Sequence, residues 1–210
     1  MSTAQVEDSV PALPPAVPRM PRNAFALWLA RSLLRVGGWR LVGEFPDLPK
    51  AVLIAAPHSS NWDGFWGITA KVALGVQLSV LGKHSLFKVP LLAQLLRWQG
   101  VIPVDRNAPH GIIEQAVAAI RAQPAIWYAI APEGTRKKVS QWKPGFWKIA
   151  HHAGVPVVPA YFDYSSRTIG FGPPIELSDD MDADIARIQR WYAPYKGRNH
   201  DVRQPDSPSS

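Results

Sequence analysis

The central part of the chain alternates short apolar runs with stretches in which apolar residues recur every three or four positions. The apolar runs predict strands over residues 51–56, 76–81, 101–104, 125–131, 155–162 and 167–171. The stretches between them predict helices over residues 62–74, 90–99, 109–122, 144–153 and 182–192. Most of the runs are continuously apolar, as in strands covered on both faces. The pattern predicts a single α/β domain with a mostly parallel or mixed central sheet flanked by helices.

Residues 22–40, ahead of this domain, carry an amphipathic pattern. Four apolar residues recur at helical spacing and form one stripe: Phe25, Leu29, Leu33 and Val36. Trp28 lies beside this stripe. Arg31 and Arg35 lie one turn apart on another face. The pattern fits an interfacial helix on a membrane surface and equally a helix packed on the core. Both can hold, with one edge docked and another in lipid, so we expect an amphipathic membrane-associating helix.

The ends of the chain have a different composition. Residues 1–21 are rich in proline and predict a disordered lead, and the polar residues 196–210 predict a flexible tail. Residues 41–195 then form the domain. No stretch is apolar enough to predict a spanning helix, and no signal peptide is apparent. We therefore expect a cytoplasmic protein that can bind the cytoplasmic face of the inner or plasma membrane peripherally.

Composition narrows the partners and the chemistry. Among 210 residues there are no cysteines, which excludes disulfides, a cysteine nucleophile and a thiolate metal site. Lys and Arg exceed Asp and Glu by 23 to 16, for a net charge of +7, and there are nine tryptophans. A basic, tryptophan-rich chain is typical of contact with something anionic, either nucleic acid or a membrane surface.

Polar residues follow successive predicted strands. They are His58 after the first, Lys83 after the second, Arg106 after the third, and Glu133, Gly134, Thr135 and Arg136 after the fourth. Ligands of open α/β sheets bind outside the carboxyl ends of the strands. We therefore expect these residues to converge on one site.

The residue types in this set indicate acid–base chemistry on an anionic substrate. Asp63, five residues after His58, can orient the imidazole as a general base, although both residues could instead only cap a helix. Lys83, Arg106 and Arg136 can form a phosphate pocket, although Asp105 and Arg106 could equally be a surface ion pair. Glu133 can accept a bond from a substrate hydroxyl.

The motifs resemble those of the glycerolipid acyltransferases, the 1-acyl-glycerol-3-phosphate acyltransferase-like family. The sequence HSSNWD at 58–63 is similar to its H-x4-D signature. GVIPVDR at 100–106, PEGTR at 132–136 and GVPVVPAYF at 154–162 follow in the family's order and spacing. The resemblance covers residues 50 to 165, and residues 22–40 look like the family's membrane-associating region.

The resemblance implies transfer of an acyl group from acyl-CoA or acyl carrier protein to the hydroxyl of a lysophospholipid, with no metal or cofactor. His58 would deprotonate the hydroxyl and Asp63 would orient His58. Arg106 and the block of Glu133, Gly134, Thr135 and Arg136 would hold the acceptor. Ala131 and Lys137 depart from the family's usual residues, which leaves open a non-phosphate acceptor such as an amino-acid lipid or a pigment or polyene head group.

Other classes of protein fit the sequence less well. A nucleic-acid-binding module would show a continuous basic stripe with exposed aromatics, and no such motif is visible. A non-catalytic lipid-binding protein would not need the His58–Asp63 pair. A metal hydrolase using His151 and His152 is disfavoured, because adjacent helical residues point about 100° apart. We therefore expect lipid, and not nucleic acid, as the partner.

Overall fold

The structure is a computed structural model that describes residues 10–104 and 111–205. The helices are α1 (Ala24–Gly37), α2 (Asn61–Leu74), α3 (Pro90–Trp98), α4 (Ile112–Ala122), α5 (Gly145–Ala153) and α6 (Met181–Trp191). The strands are β1 (Arg40–Val42), β2 (Lys50–Ala56), β3 (Leu78–Lys83), β4 (Val101–Val104), β5 (Ile126–Ile130), β6 (Val157–Asp163) and β7 (Thr168–Phe171). A short 3₁₀ helix, His84–Lys88, follows β3.

The strands of the described ranges form one seven-stranded sheet in the order β1-β7-β6-β2-β5-β3-β4. All neighbours are parallel except β6 and β7, which form an antiparallel pair. At the centre, Val52 of β2 lies opposite Tyr128 of β5 and Val157 of β6. The predicted single α/β domain with a mostly parallel, mixed sheet is confirmed.

Both faces of the central strand are covered, which explains its unbroken apolar sequence. Val52 and Ile54 of β2 pack in a cluster with residues of α4, α5 and α6. Ala51 and Leu53 point to the opposite face, where they pack with Trp127 and others. Because successive side chains of a strand alternate between faces, a strand buried on both sides has no polar positions.

Helix α1 begins and ends at local signals in its sequence. The Asn23 side chain accepts a hydrogen bond from the Ala26 N–H at 3.0 Å, and Gly38 ends the helix with φ 71°. The helix is therefore shorter than the predicted 22–40 segment, whose last residue, Arg40, begins β1. Strand β1 was not predicted, because three residues are too few to show a period.

The described part of the proline-rich lead, residues 10–21, differs from the expected disorder. Val17 is 2% exposed and packs in the cluster that contains Trp127. The Met20 N–H donates to the Gly75 carbonyl at 2.9 Å, and the Gln77 N–H donates to the Pro18 carbonyl at 2.8 Å. Composition did not reveal this packing, because the partners lie more than 50 residues away along the chain.

The described part of the tail, residues 196–205, also packs on the domain instead of extending away from it. Val202 is buried in the cluster formed with α4, α5 and α6. The Tyr164 N–H donates to the Lys196 carbonyl at 2.8 Å, and the Lys196 N–H donates to Asp163 Oδ1 at 3.1 Å. These contacts hold the segment beside the loop that follows β6.

None of the helices in the described ranges has the length and apolar character required to cross a membrane.

Candidate active site

The turn between β2 and α2 is built by a helix cap. Ser60 is the N-cap residue, and its side chain accepts a hydrogen bond from the Trp62 N–H at 3.2 Å. Asp63, in the first turn of the helix, returns the interaction, because its Oδ2 accepts from the N–H groups of Ser59 and Ser60, both at 2.7 Å. This capping box folds the chain back and brings the carboxylate beside His58.

His58 and Asp63 form a pair across this turn. His58 Nδ1 lies 3.6 Å from Asp63 Oδ2, which is ion-pair distance and longer than a hydrogen bond. The Asp63 side chain is fully buried, whereas that of His58 is 25% exposed. With Nδ1 turned to the carboxylate, Nε2 faces away from it. Asp63 therefore both caps α2 and faces the imidazole of His58.

The surroundings of His58 favour the neutral imidazole. Burial lowers its pKa; the Asp63 carboxylate opposes this, and the positive charge of Arg136 lowers the pKa further. A histidine with a lowered pKa is unprotonated at neutral pH and can accept a proton.

Glu133, in the loop after β5, ties this loop to the turn after β2. Its Oε2 accepts a hydrogen bond from the His58 N–H at 3.0 Å, and Glu133 is only 2% exposed. Its Oε1 is buried and has no hydrogen-bond partner among the described residues. The pKa of Glu133 is raised to about 7, mainly by burial and to a smaller extent by the charge of Asp63. The hydrogen bond from the His58 N–H and the charge of His200 act in the opposite direction. Glu133 thus contacts the turn after β2 through Oε2 alone.

The rest of the 133–136 block lies on the same loop. Gly134 has φ 64°, a backbone conformation that favours glycine. A Cβ there would come within 2.7 Å of the Lys143 side chain, whose flexible end would have to shift. Thr135 Oγ1 accepts from the Lys137 N–H at 3.3 Å. Arg136 is exposed, and its charge acts on the His58 imidazole.

For two of the predicted site residues, Lys83 and Arg106, the structure does not describe the side chain. Lys83 is the last residue of β3, whose carboxyl end lies on the same side of the sheet as those of β2 and β5. Arg106 lies outside the described residues. The described residues contain no group of three or more His, Asp or Glu side chains that could hold a metal ion.

The loop after β6 supplies a residue that the sequence patterns did not single out. The Tyr164 hydroxyl donates to Asp63 Oδ1 at 2.6 Å, so both carboxylate oxygens of Asp63 are occupied. Because β6 runs parallel to β2, its carboxyl end reaches the same side of the sheet. The signal that could have found Tyr164 is therefore this strand-end rule, since the residue follows the strand predicted over residues 155–162.

The segment after α6 also reaches the site. Asn199 Nδ2 donates to the Ser59 carbonyl at 2.6 Å, and the Asn199 N–H donates to Ser59 Oγ at 3.2 Å. The Arg198 guanidinium lies 5.3 Å from the centre of the Trp62 ring. His200 Nε2 lies 3.2 Å from the Arg136 carbonyl oxygen. Residues 198–200 therefore connect the turn after β2 with the loop after β5.

Comparison with known proteins identifies a family for this chain. A sequence model of the acyltransferase family matches residues 41–163. The chain is 30% identical over 142 residues to the 1-acyl-sn-glycerol-3-phosphate acyltransferase of Escherichia coli, covering 59% of this chain and 56% of that protein. It is 28% identical over 108 residues to a chloroplastic 1-acyl-sn-glycerol-3-phosphate acyltransferase of Brassica napus, covering 49% of this chain and 31% of the relative. The chain thus spans about half or less of these curated relatives.

A solved structure has a similar fold. The crystal structure of PlsC, the 1-acyl-sn-glycerophosphate acyltransferase of Thermotoga maritima, superposes with a TM-score of 0.55 at 16% identity, covering 82% of this chain and 80% of that one. The family model spans more than half of the chain and includes His58, Asp63 and the 133–136 block. By this match, the chain belongs to the acyltransferase family.

Proposed function

We propose that the protein transfers an acyl group from a thioester, acyl-CoA or acyl-carrier protein, to the hydroxyl of a lysophospholipid such as 1-acyl-glycerol-3-phosphate, in phospholipid biosynthesis. The observation that carries this proposal is the pair formed by a partly exposed His58 and a buried Asp63. The family match and the names of the relatives support the reaction class and the lipid acceptor.

The proposed reaction uses His58 first as a base and then as an acid. Nε2 takes the proton of the acceptor hydroxyl as its oxygen attacks the thioester carbonyl carbon, and the negatively charged Asp63 stabilises the imidazolium that forms. The carbon–sulfur bond then breaks, and the proton passes from His58 to the departing sulfur. The products are an ester and a free thiol. The chain has no cysteine, so the acyl group is not carried on a protein thiol.

The acceptor phosphate is assigned to the positive charges near His58. Arg136 is exposed on the loop after β5, and its guanidinium can bind a phosphate through two parallel hydrogen bonds. Arg106 is assigned the same role by resemblance to the family. Lys83 is assigned it because it ends β3 on the same side of the sheet. Glu133 is assigned the role of holding the loop of Arg136 against His58, through its bond to the His58 N–H.

A membrane surface is the proposed location of the reaction. Phe25 and Trp28 of α1 are 69% and 62% exposed, while Ala30 and Leu34 of the same helix are buried. Trp62 and Phe65, on the first turns of α2, are also exposed and lie close to the His58–Asp63 pair. Exposed aromatics with arginines beside them are typical of helices that lie in the interface of a bilayer. The enzyme would then bind peripherally, with the pair near its lipid substrate.

The test is a thiol-release assay with a panel of acceptors. A thiol-reactive dye reports the free thiol with no background from the protein, because the chain has no cysteine. Palmitoyl-CoA and palmitoyl-acyl carrier protein serve as donors. The acceptors are lysophosphatidate, lysophosphatidylglycerol, glycerol 3-phosphate and the phosphate-free monoacylglycerol, and mass spectrometry identifies each product. We expect lysophosphatidate to give the highest kcat/KM.

His58→Ala should abolish transfer, because it removes Nε2, the proposed acceptor of the hydroxyl proton. The matched control is His152→Ala, an exposed histidine on α5, which should keep full activity. Circular dichroism should show that both variants are folded. Full turnover by His58→Ala would overturn the mechanism, and transfer only to monoacylglycerol would overturn the phosphate acceptor.

A further inference from the structure

The carboxylate of Asp63 is held on both of its oxygens. Oδ2 accepts from two backbone N–H groups and lies 3.6 Å from His58 Nδ1. Oδ1 accepts from the Tyr164 hydroxyl at 2.6 Å, the short distance expected when a hydroxyl donates to an ionised carboxylate. The side chain of Asp63 is fully buried, so water does not replace a lost partner.

Tyr164 is itself held through its ring and through its backbone. Its ring packs edge-on against Trp39, with the ring centres 5.0 Å apart and the planes at 89°. Its backbone N–H donates to the Lys196 carbonyl at 2.8 Å. The hydroxyl therefore comes from a rigid position 101 residues away from Asp63 along the chain.

The Tyr164 hydroxyl remains a donor over the physiological range. Burial raises the pKa of Tyr164, the bond to Asp63 and its charge raise it further, and Arg198 opposes them. A phenol with a raised pKa keeps its proton, so it always offers a hydrogen to the carboxylate.

We propose that Tyr164 is a positioning residue for the reaction, which sets the orientation of the Asp63 carboxylate and through it the imidazole of His58. Without the hydroxyl, Oδ1 is a buried charged oxygen with no partner, and the carboxylate turns to share its remaining donors. Oδ2 then moves away from Nδ1, and the imidazolium loses its stabilising charge. This inference rests on the proposed role of His58 as the base.

The first test is Tyr164→Phe, which keeps the ring against Trp39 and removes only the hydroxyl. We expect kcat to fall about tenfold or more, as when one member of a catalytic hydrogen-bond network is lost, with KM for donor and acceptor changed less than about twofold. The matched control is Tyr195→Phe. The Tyr195 hydroxyl bonds to Tyr161 and not to Asp63, so this variant should keep the wild-type kcat.

The second test asks whether Tyr164 acts through Asp63. In an Asp63→Asn background, adding Tyr164→Phe should lower the residual rate less than about twofold, because residues that act as a unit are not additive. An independent, multiplicative loss in the double variant would overturn the proposal, as would an unchanged kcat in Tyr164→Phe alone.

The third test does not require activity. The imidazole of His58 is titrated by NMR in wild type and Tyr164→Phe, with its signal assigned from His58→Ala. The charged and titratable groups around it are Asp63, Glu133 and Arg136, with His200 acting on Glu133 and Arg198 on Tyr164. Loss of the Asp63 contribution should lower the His58 pKa by about half a unit or more, and move the acid limb of kcat/KM with it.

An unchanged His58 titration in Tyr164→Phe would contradict the positioning role, even if kcat falls. If wild type transfers no acyl group to any acceptor but the titration shifts as expected, the proposed function fails and the coupling of Tyr164 to His58 stands. The two failures are therefore distinguishable.

Discussion

Glu133 is a carboxyl group placed where its charge is costly. It is buried, one oxygen is bonded to the His58 N–H, and the other has no hydrogen-bond partner among the described residues. Its pKa is raised to about 7, so the folded protein holds a proton there that the unfolded chain releases at about 4.5. Such groups make stability depend on pH, and they are frequent at functional sites.

The sign of this dependence follows from the two pKa values. Below pH 4.5 both states are protonated, and above about 7 both are ionised. Between these values the folded state binds more protons, so the free energy of unfolding falls as pH rises. A shift of this size corresponds to ~3 kcal/mol lost between pH 4.5 and 7.

Glu133→Gln should remove this loss, because the amide does not ionise. The measurement is the free energy of unfolding in urea, for the variant and for wild type, at pH 5 and at pH 8. We expect the advantage of the variant over wild type to be about 2–3 kcal/mol larger at pH 8 than at pH 5. Glu176→Gln, at an exposed position, serves as the control and should leave the pH dependence as in wild type. Parallel pH profiles for wild type and Glu133→Gln would disprove the buried charge.

Contacts between single residues were predictable where the partners are close in sequence. His58 and Asp63 are five residues apart, and a local capping box brings them together. The pairing of Asp63 with Tyr164, and of Glu133 with the His58 N–H, spans 101 and 75 residues. Such contacts depend on the sheet order, which the sequence patterns alone did not specify.

At the scale of elements, α1 is the clearest case of a pattern with two outcomes. Ala30 and Leu34 pack in the cluster with Trp39 and Ala70, so one edge of the helix is docked on the domain. Another face leaves Phe25, Trp28 and Val36 exposed. An exposed apolar face of this kind is typical of a surface that contacts another apolar phase.

Replacement of Phe25 and Trp28 by alanine should weaken binding to vesicles that contain phosphatidylglycerol at least about tenfold, because each aromatic contributes about 1.5–3 kcal/mol on burial. Binding of wild type should weaken with salt, since Arg31 and Arg35 act at the charged surface. Vesicle sedimentation measures both effects.

The control for this experiment is Ile112→Ala. Ile112 is 41% exposed and begins α4, which packs on the opposite face of the sheet from α1. Its vesicle affinity should equal that of wild type. Equal affinity of the Phe25 and Trp28 double variant and wild type would exclude α1 as the membrane contact.

At the scale of the whole molecule, one side of the sheet collects the site. The parallel strands β2, β5 and β6 end there, and they deliver His58, Glu133 and Tyr164. The segment after α6 also reaches this side, and Asn199 bonds to Ser59 in the turn between β2 and α2. The site is thus closed by residues from four separate parts of the chain.

Asn199→Ala should lower both stability and activity. Ser59 is buried, and loss of the 2.6 Å bond to its carbonyl leaves that oxygen without this donor, which costs about 1–2 kcal/mol in the free energy of unfolding. We also expect a lower kcat, because Ser59 N–H is one of the donors that hold Asp63.

Lys196→Ala is the control in the same segment. Its ammonium pairs with Asp201 at 2.9 Å, but both side chains are about half exposed, so the pair contributes about 0–1 kcal/mol. Its kcat should match that of wild type. If Asn199→Ala were as stable and active as Lys196→Ala, the segment after α6 would have no part in the site.

The sequence by itself determined the class of fold and the pairing of His58 with Asp63. Continuous apolar runs arise because the central strands are buried on both faces, and the H-x4-D pair arises from the local geometry of a helix cap. Both features leave a local pattern in the sequence, so they can be identified without the structure.

Only the tertiary structure decided which residues surround that pair. Three of the contacts around it come from segments distant in sequence: those of Tyr164, Asn199 and Glu133. Long-range contacts that composition does not report also determine β1 and the packing of residues 10–21 and 196–205. The physical reason is that a polar side chain at a strand end acquires its role from the strand beside it, and the order of strands in a sheet is set by the packing of the whole chain.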